Sequence, residues 1–262
     1  MSFETRIVFL KKPRLNKPVL IEGLPGLGLV GRIAAEHMIK ELKAVKFAEL
    51  YSPDFPPQFD IQKDGTGKMR KLEFYYYKAK NKQQKDAIIL IGDDQGLTVQ
   101  SQYAISDLII KVFKEKMKIS FVFTLGGYGL NHLAKNPKVF GAVNDKKLIK
   151  KFEKQGVLFG KVGGAIVGAA GLMIGIAGLH KIPGICLMGE THGNFIDPKA
   201  SKNVLKIVLK NLGVEINLKG LDKKAKETEQ MIAKLQDIQK QQQAQQNPQV
   251  KPLDSGHLSY IR

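Results

Sequence analysis

Asp93 and Asp94 in Gly92-Asp-Asp94, and Glu190 and His192 in Gly189-Glu-Thr-His-Gly193, are the side chains whose types suit a metal site or an acid–base pair. Each pair follows an apolar run that reads as a strand, which is where open α/β sheets hold their ligands. The glycine-rich stretches 23–31 and 126–129 share that placing. Nothing in the spacing fixes how these four loops meet, and turning the chain and capping helices is the simpler account of them. No His-Glu-x-x-His and no Ser-His-Asp order is present. Cys186 stands in the apolar run Ile185-Cys-Leu-Met188, the setting of an inert buried thiol. We assign no catalytic, metal-ligating or cofactor-binding residue.

Gly26-Leu-Gly28-Leu-Val-Gly31 has the form G-x-G-x-x-G, follows an apolar run, and opens a helical pattern, with Glu49 at the end of the next strand. A dinucleotide site needs such glycines for close approach to a pyrophosphate and such an acid for the ribose. Here Gly23-Leu-Pro25 intervenes and Pro25 stiffens the turn, so close packing of helix on strand is the competing use of the glycines. The Gly-Lys pairs at 67–68 and 160–161 are followed by Met69 and Val162, which offer no hydroxyl to magnesium, and a phosphate-cradling loop is excluded.

The chain has 262 residues, enough for one large domain with an appendage. Apolar residues make up 43% and charged residues 25%, ordinary globular values. The net charge is +18, and residues 214–262 hold eight basic and six acidic side chains, so sixteen of those charges belong to residues 1–213. Such an excess attracts nucleic acid, anionic membrane or an acidic protein, but no nucleic-acid signature accompanies it. A single cysteine excludes an internal disulfide, and charges with Pro13 and Pro18 interrupt the first twenty residues where a secretion signal would be apolar. A cytoplasmic protein is expected. Residues 162–179 carry no charge and approach membrane-spanning length, yet six glycines and a following strand favour a buried core helix.

Apolar β-branched runs at 18–23, 45–51, 87–92, 119–125, 138–143 and 184–188 alternate with helical patterns at 27–43, 98–117, 145–155, 163–180 and 198–212. That alternation predicts an α/β fold in three layers, α/β/α, with a mostly parallel sheet. Between them, 59–62 and 72–78 around Asp64-Gly-Thr-Gly67 read as an antiparallel hairpin on one sheet edge. Asp197-Pro198 reads as a helix N-cap with proline at the first helical position.

The domain comprises residues 1–213, followed by a C-terminal helical extension, 214–246, and a tail, 247–262. In the extension Leu221, Thr228, Leu235 and Gln242 recur every seven residues, with Lys224, Met231 and Ile238 between them, a thin apolar seam for an oligomer or partner contact. Pro248, Pro252 and Gly256 mark a flexible linker. The last residues, Leu258-Ser-Tyr260-Ile261-Arg262, place an apolar cluster and a free carboxylate at its tip, the kind of end a partner captures.

Gly23-Leu-Pro-Gly-Leu-Gly-Leu-Val-Gly31, Gly126-Gly-Tyr-Gly129, Gly171-Leu-Met-Ile-Gly175 and Ile182-Pro-Gly-Ile-Cys-Leu-Met-Gly-Glu-Thr191, followed by Asp197-Pro198, together resemble the family of the second proteasome assembly chaperone, in its archaeal branch. The resemblance covers residues 5–215. It implies a body similar to nucleoside phosphorylases and hydrolases but without established catalysis, association into a homo-oligomer, and help in assembling the proteasome core particle. It also implies partner binding through the tip, because such chaperones and the proteasomal activators end in a hydrophobic residue, a tyrosine and any residue, which enter pockets between α-ring subunits. In this chain Tyr260 takes the hydrophobic place, Ile261 stands where the tyrosine belongs, and Arg262 is last. The expectation is a non-enzymatic chaperone whose Leu258, Tyr260, Ile261 and Arg262 bind proteasome α subunits, with no cofactor, nucleic acid or membrane. The competing expectation is a phosphorylase- or hydrolase-like enzyme, or a nucleotide-binding protein, using the glycine-rich crevice.

Overall fold

Val-Leu-Ile-Glu-Gly and Ala-Ile-Ile-Leu-Ile-Gly are two runs without polar alternation, and in the computed structural model they form strands buried at every residue, β2 (Val19–Gly23) and β7 (Ala87–Gly92). Strands covered on both faces must read this way. The structure describes residues 3–130, 134–160 and 163–246. Around β2 and β7 the sheet adds β1 (Arg6–Phe9), β3 (Val45–Tyr51), β6 (Leu72–Tyr77), β8 (Phe121–Gly129), β9 (Val139–Val143), β10 (Val157–Leu158) and β11 (Gly184–Thr191). Its nine strands run in the order β1-β3-β6-β7-β2-β8-β11-β9-β10. The centre, β7-β2-β8-β11, is parallel as the α/β alternation requires, and antiparallel pairs join β1, β3, β6 and β9 on either side.

Helices cover both faces. On one face α1 (Val30–Leu42), α3 (Ile149–Glu153) and α5 (Pro198–Leu212) bury Val30, Ala34, Met38, Phe152, Val204 and Val208 against Ile21, Ile89, Phe123 and Leu187. On the other, α2 (Val99–Met117) and α4 (Ala169–Leu179) bury Ile109, Phe113, Met173 and Ala177 against Leu20, Leu90, Val122 and Cys186. Phe113 sits among the rings of Phe74, Phe47 and Phe9, with centroids 4.8, 6.1 and 6.3 Å away.

The helix ends follow local chemistry. Thr98 and Ser101 form a reciprocal capping box at the start of α2, each side chain bonded to the other's backbone N–H. Asp197 caps α5 through the Ala200 N–H at 2.9 Å with Pro198 next to it, as expected, and Gly213 ends that helix in the left-handed region at φ 69°.

Three expectations are corrected. Residues 59–62 do not pair with 72–78: β4 (Phe59–Ile61) folds back on β5 (Gly67–Met69) as a separate two-stranded ribbon, because the turn through Gly65 (φ 82°) is too tight to reach Leu72. The Leu72–Tyr77 strand lies inside the sheet between β3 and β7, and the edge is taken by Arg6–Phe9, which its charged surroundings concealed. The apolar run expected to be helical from 163 becomes helix only at Ala169, after Gly164 and Gly168 at φ 117° and 92°. α4 is eleven residues long, and no helix among the described residues is long and apolar enough to cross a membrane.

The chain divides into two compact units, Met1–Ala225 and Lys226–Arg262. A sixth helix, α6 (Lys219–Gln246), begins in the first, where Leu221 joins the core. Within the second, Met231, Leu235 and Ile238 are exposed, so the residues read as one seam divide between Leu221 in the core and these three on the surface. The tip residues Leu258, Tyr260, Ile261 and Arg262 lie outside the described residues.

Candidate functional site: a cleft at the carboxyl ends of the parallel strands

β2 ends at Gly23 while its parallel neighbours β8 and β11 run on together to Gly129 and Thr191, and a cleft of about 730 Å3 lies between those strands, the loop after β2 and the segment before α4. Its walls are mainly apolar, from Leu27, Leu125, Tyr128, Ile166 and Met188, with bare backbone at Gly26 and Gly126. Gln95, from the loop after β7, ties two walls together. Its amide donates to the Pro25 carbonyl at 2.7 Å and its carbonyl accepts from the Ala169 N–H at 3.0 Å, capping α4.

The G-x-G-x-x-G glycines serve packing. A Cβ on Gly31 would fall on the Leu125 carbonyl, one on Gly23 would strike Ala35, and Gly28, at φ 60°, lies against Thr191. Gly23 and Gly31 thus let α1 lie directly on the sheet. The dinucleotide constellation is not formed, because Glu49 is on β3 and two strands, β6 and β7, separate β3 from β2. Glu49 is held instead by Lys46 at 2.8 Å, Lys71 at 2.5 Å and the Tyr51 hydroxyl at 2.8 Å. Burial works against its charge, but those donors prevail and hold the carboxyl down to about 2.

Nor do the four candidate acid–base residues come together. Asp93 pairs with Arg32 at 3.2 Å and Asp94 with Arg70 at 3.1 Å. Glu190 accepts the Lys138 N–H at 3.0 Å, joining β11 to the approach of β9, and His192 stacks beside Phe195 with centroids 5.8 Å apart. Among the described residues no group of three or more His, Cys, Asp or Glu could hold a metal ion.

The titratable group that does face the cleft is Glu22, which the sequence reading passed over. It is 1% exposed, the fourth residue of β2, and its side chain points to the α2–α4 face along with Leu20. In register beside it lie Thr124 of β8 and then Cys186 of β11, so three polar side chains form one row across three parallel strands. The Thr124 hydroxyl donates to the Ala170 carbonyl of α4 at 2.9 Å. Burial pushes the Cys186 thiol up to about 12, keeping it protonated and a poor nucleophile. Burial likewise pushes the Glu22 carboxyl up to about 7, against the pull of the Leu24 and Leu125 N–H groups. The signal for Glu22 was available: a lone acid inside a run otherwise suited to complete burial.

Residues 20–236 match the model of the PAC2 family, and the chain belongs to that family. It is 44% identical over 247 residues, 94% of this chain and 93% of the relative, to MJ1210, an uncharacterized protein of Methanocaldococcus jannaschii. Among solved structures it is similar to Pyrococcus furiosus PbaB, an archaeal proteasome activator. The identity is 41% over 89% of this chain and 99% of that one, with a TM-score of 0.84. It is also similar to Pyrococcus furiosus PbaA, an archaeal homolog of proteasome-assembly chaperone, at 28% identity over 94% and 97% of the two chains and a TM-score of 0.74. The family resemblance read from the glycine motifs is thereby established.

Proposed function

We propose that this chain is a non-enzymatic, cytoplasmic proteasome assembly chaperone that forms a homo-oligomer and binds α-type subunits of the core particle through its C-terminal arm. The observation that carries the proposal is membership of the PAC2 family together with the likeness to PbaA over nearly the whole of both chains. The candidate acid–base residues support it from the other side, since Asp93 and Asp94 are engaged in separate ion pairs and Glu190 accepts a backbone N–H. In this reading the phosphorylase- and hydrolase-like scaffold serves assembly, and Leu258, Tyr260, Ile261 and Arg262 supply the contact. Several copies of a weak tip on one oligomer bind a ring together far more tightly than one copy does. Arg262 adds attraction toward an acidic rim.

PbaB's description as an activator favours a second use of the same contact, on the finished particle. One pair of assays separates the two. Mixed with separately purified α and β subunits, a chaperone raises the yield or rate of core particles seen by native gel. Mixed with mature core particles, an activator raises peptide hydrolysis. Failure of both, at concentrations where the oligomer is intact, overturns the proposal.

A further inference from the structure

The fold uses Glu22 incompletely. Its Oε1 accepts the Leu24 N–H at 2.7 Å, while Oε2, fully buried from bulk solvent, has no hydrogen-bond partner among the described residues. A buried polar atom left unmatched destabilises the fold, so such atoms call for an explanation. The orphaned carboxyl also lines the cleft of about 730 Å3, a size within the usual range for small-molecule sites. The cleft stands at the carboxyl ends of parallel strands, where α/β sheets bind ligands. Its other walls are apolar side chains and glycine backbone, with Val167 exposed in the segment leading into α4.

We propose that this cleft binds a small molecule with an apolar body and one hydrogen-bond-donating head, an amine or a hydroxyl, that caps Oε2 of Glu22. The geometry sets the chemistry. The Leu24 and Leu125 N–H groups already approach the carboxyl from the backbone, and Glu22 lines the cleft, so the donor for Oε2 comes from the cleft side. Thr124 gives its proton to Ala170 and Gln95 donates to Pro25, and neither side chain bonds Oε2. The body of the ligand lies against Leu125, Ile166 and Met188 and removes apolar wall from water. This site goes beyond the proteasome contact proposed above, because it lies in the body and needs nothing of the C-terminal arm.

The test is a methyl NMR titration of the full chain, labelled at Ile, Leu and Met, with three probes of one shape: benzylamine, benzyl alcohol and toluene. The expected result is saturable shifts at Ile166, Met188 and Leu125 with the amine or the alcohol, and binding of toluene at least tenfold weaker. Preference for benzylamine with affinity rising from pH 6 to 8 assigns an amine head; equal or tighter binding of benzyl alcohol, flat with pH, assigns a hydroxyl. Glu22→Gln, which keeps the bond to Leu24, lowers affinity for the favoured probe at least tenfold and leaves toluene unchanged. Gly126→Val, placed where an added Cβ meets nothing within 4 Å, puts a branched side chain on the cleft wall without striking a neighbour and weakens binding of all three. Absence of shifts with every probe, toluene binding as tightly as the other two, or an unaltered affinity in Glu22→Gln overturns the proposal.

Discussion

Replacing Glu22 with glutamine changes how the stability of the fold responds to pH, and the size of the change follows from the burial of one carboxyl. In the folded chain burial raises its pKa from 4.5 to about 7. The folded state therefore keeps a proton that the unfolded chain releases between those values, and stability falls as pH rises through that window and levels off above it. The interval between 4.5 and about 7, at about 1.4 kcal/mol per tenfold, amounts to about 3 kcal/mol in all, of which about 2–3 kcal/mol falls between pH 5 and 8. Glutamine does not titrate, so the urea-derived stability of the wild type relative to Glu22→Gln should decline by that amount from pH 5 to pH 8. Parallel pH profiles for the two proteins would refute the reasoning, since they would mean that the carboxyl is solvated or charged in the fold.

Other expectations follow from the same contacts. Gly31→Ala pushes a Cβ into the Leu125 carbonyl and should cost about 1–3 kcal/mol by urea unfolding, whereas Gly26→Ala, with open space around it, should cost less than 1 kcal/mol. Phe113→Ala removes a ring packed among Phe9, Phe47 and Phe74 and should cost about 3–5 kcal/mol in the same assay. Asp86, 3% exposed, accepts from Lys78 and from the N–H groups of Asn16 and Ala79, and these donors outweigh burial and lower its pKa. Its contribution is therefore present at neutral pH and lost as pH falls through the depressed value, so Asp86→Ala should cost about 2 kcal/mol at pH 7 and progressively less in acid.

Legibility in the sequence tracked how completely a segment's surroundings are local. The runs 19–23, 87–92 and 184–188 announce buried strands by composition, though the last strand runs on to Thr191 through residues read as a loop, and the caps at Thr98 and Asp197 announce helix starts by side-chain chemistry. Arg6–Phe9 alternates exposed and half-buried residues at an edge, and only its pairing with β3 makes it a strand. The start of α4 escaped because an unbroken apolar stretch has no period; the positive φ of Gly168 sets it. At the cleft, the glycine loops were visible but their use was not. Whether Gly31 approaches a pyrophosphate or the Leu125 carbonyl depends on where β8 lies, ninety residues away in the chain. Glu22 gained its meaning only when Thr124 and Cys186 came into register beside it and left one oxygen unmatched. The packing role of the glycines also explains why a formal G-x-G-x-x-G can stand in a protein whose relatives carry proteasome-related names.

Binding of the intact oligomer to immobilised rings of proteasome α subunits, with and without residues 258–262, bears most directly on the proposed function. The account predicts that the deletion weakens binding at least tenfold while the oligomer's mass by native mass spectrometry stays the same. Binding of equal strength by the shortened chain would contradict it.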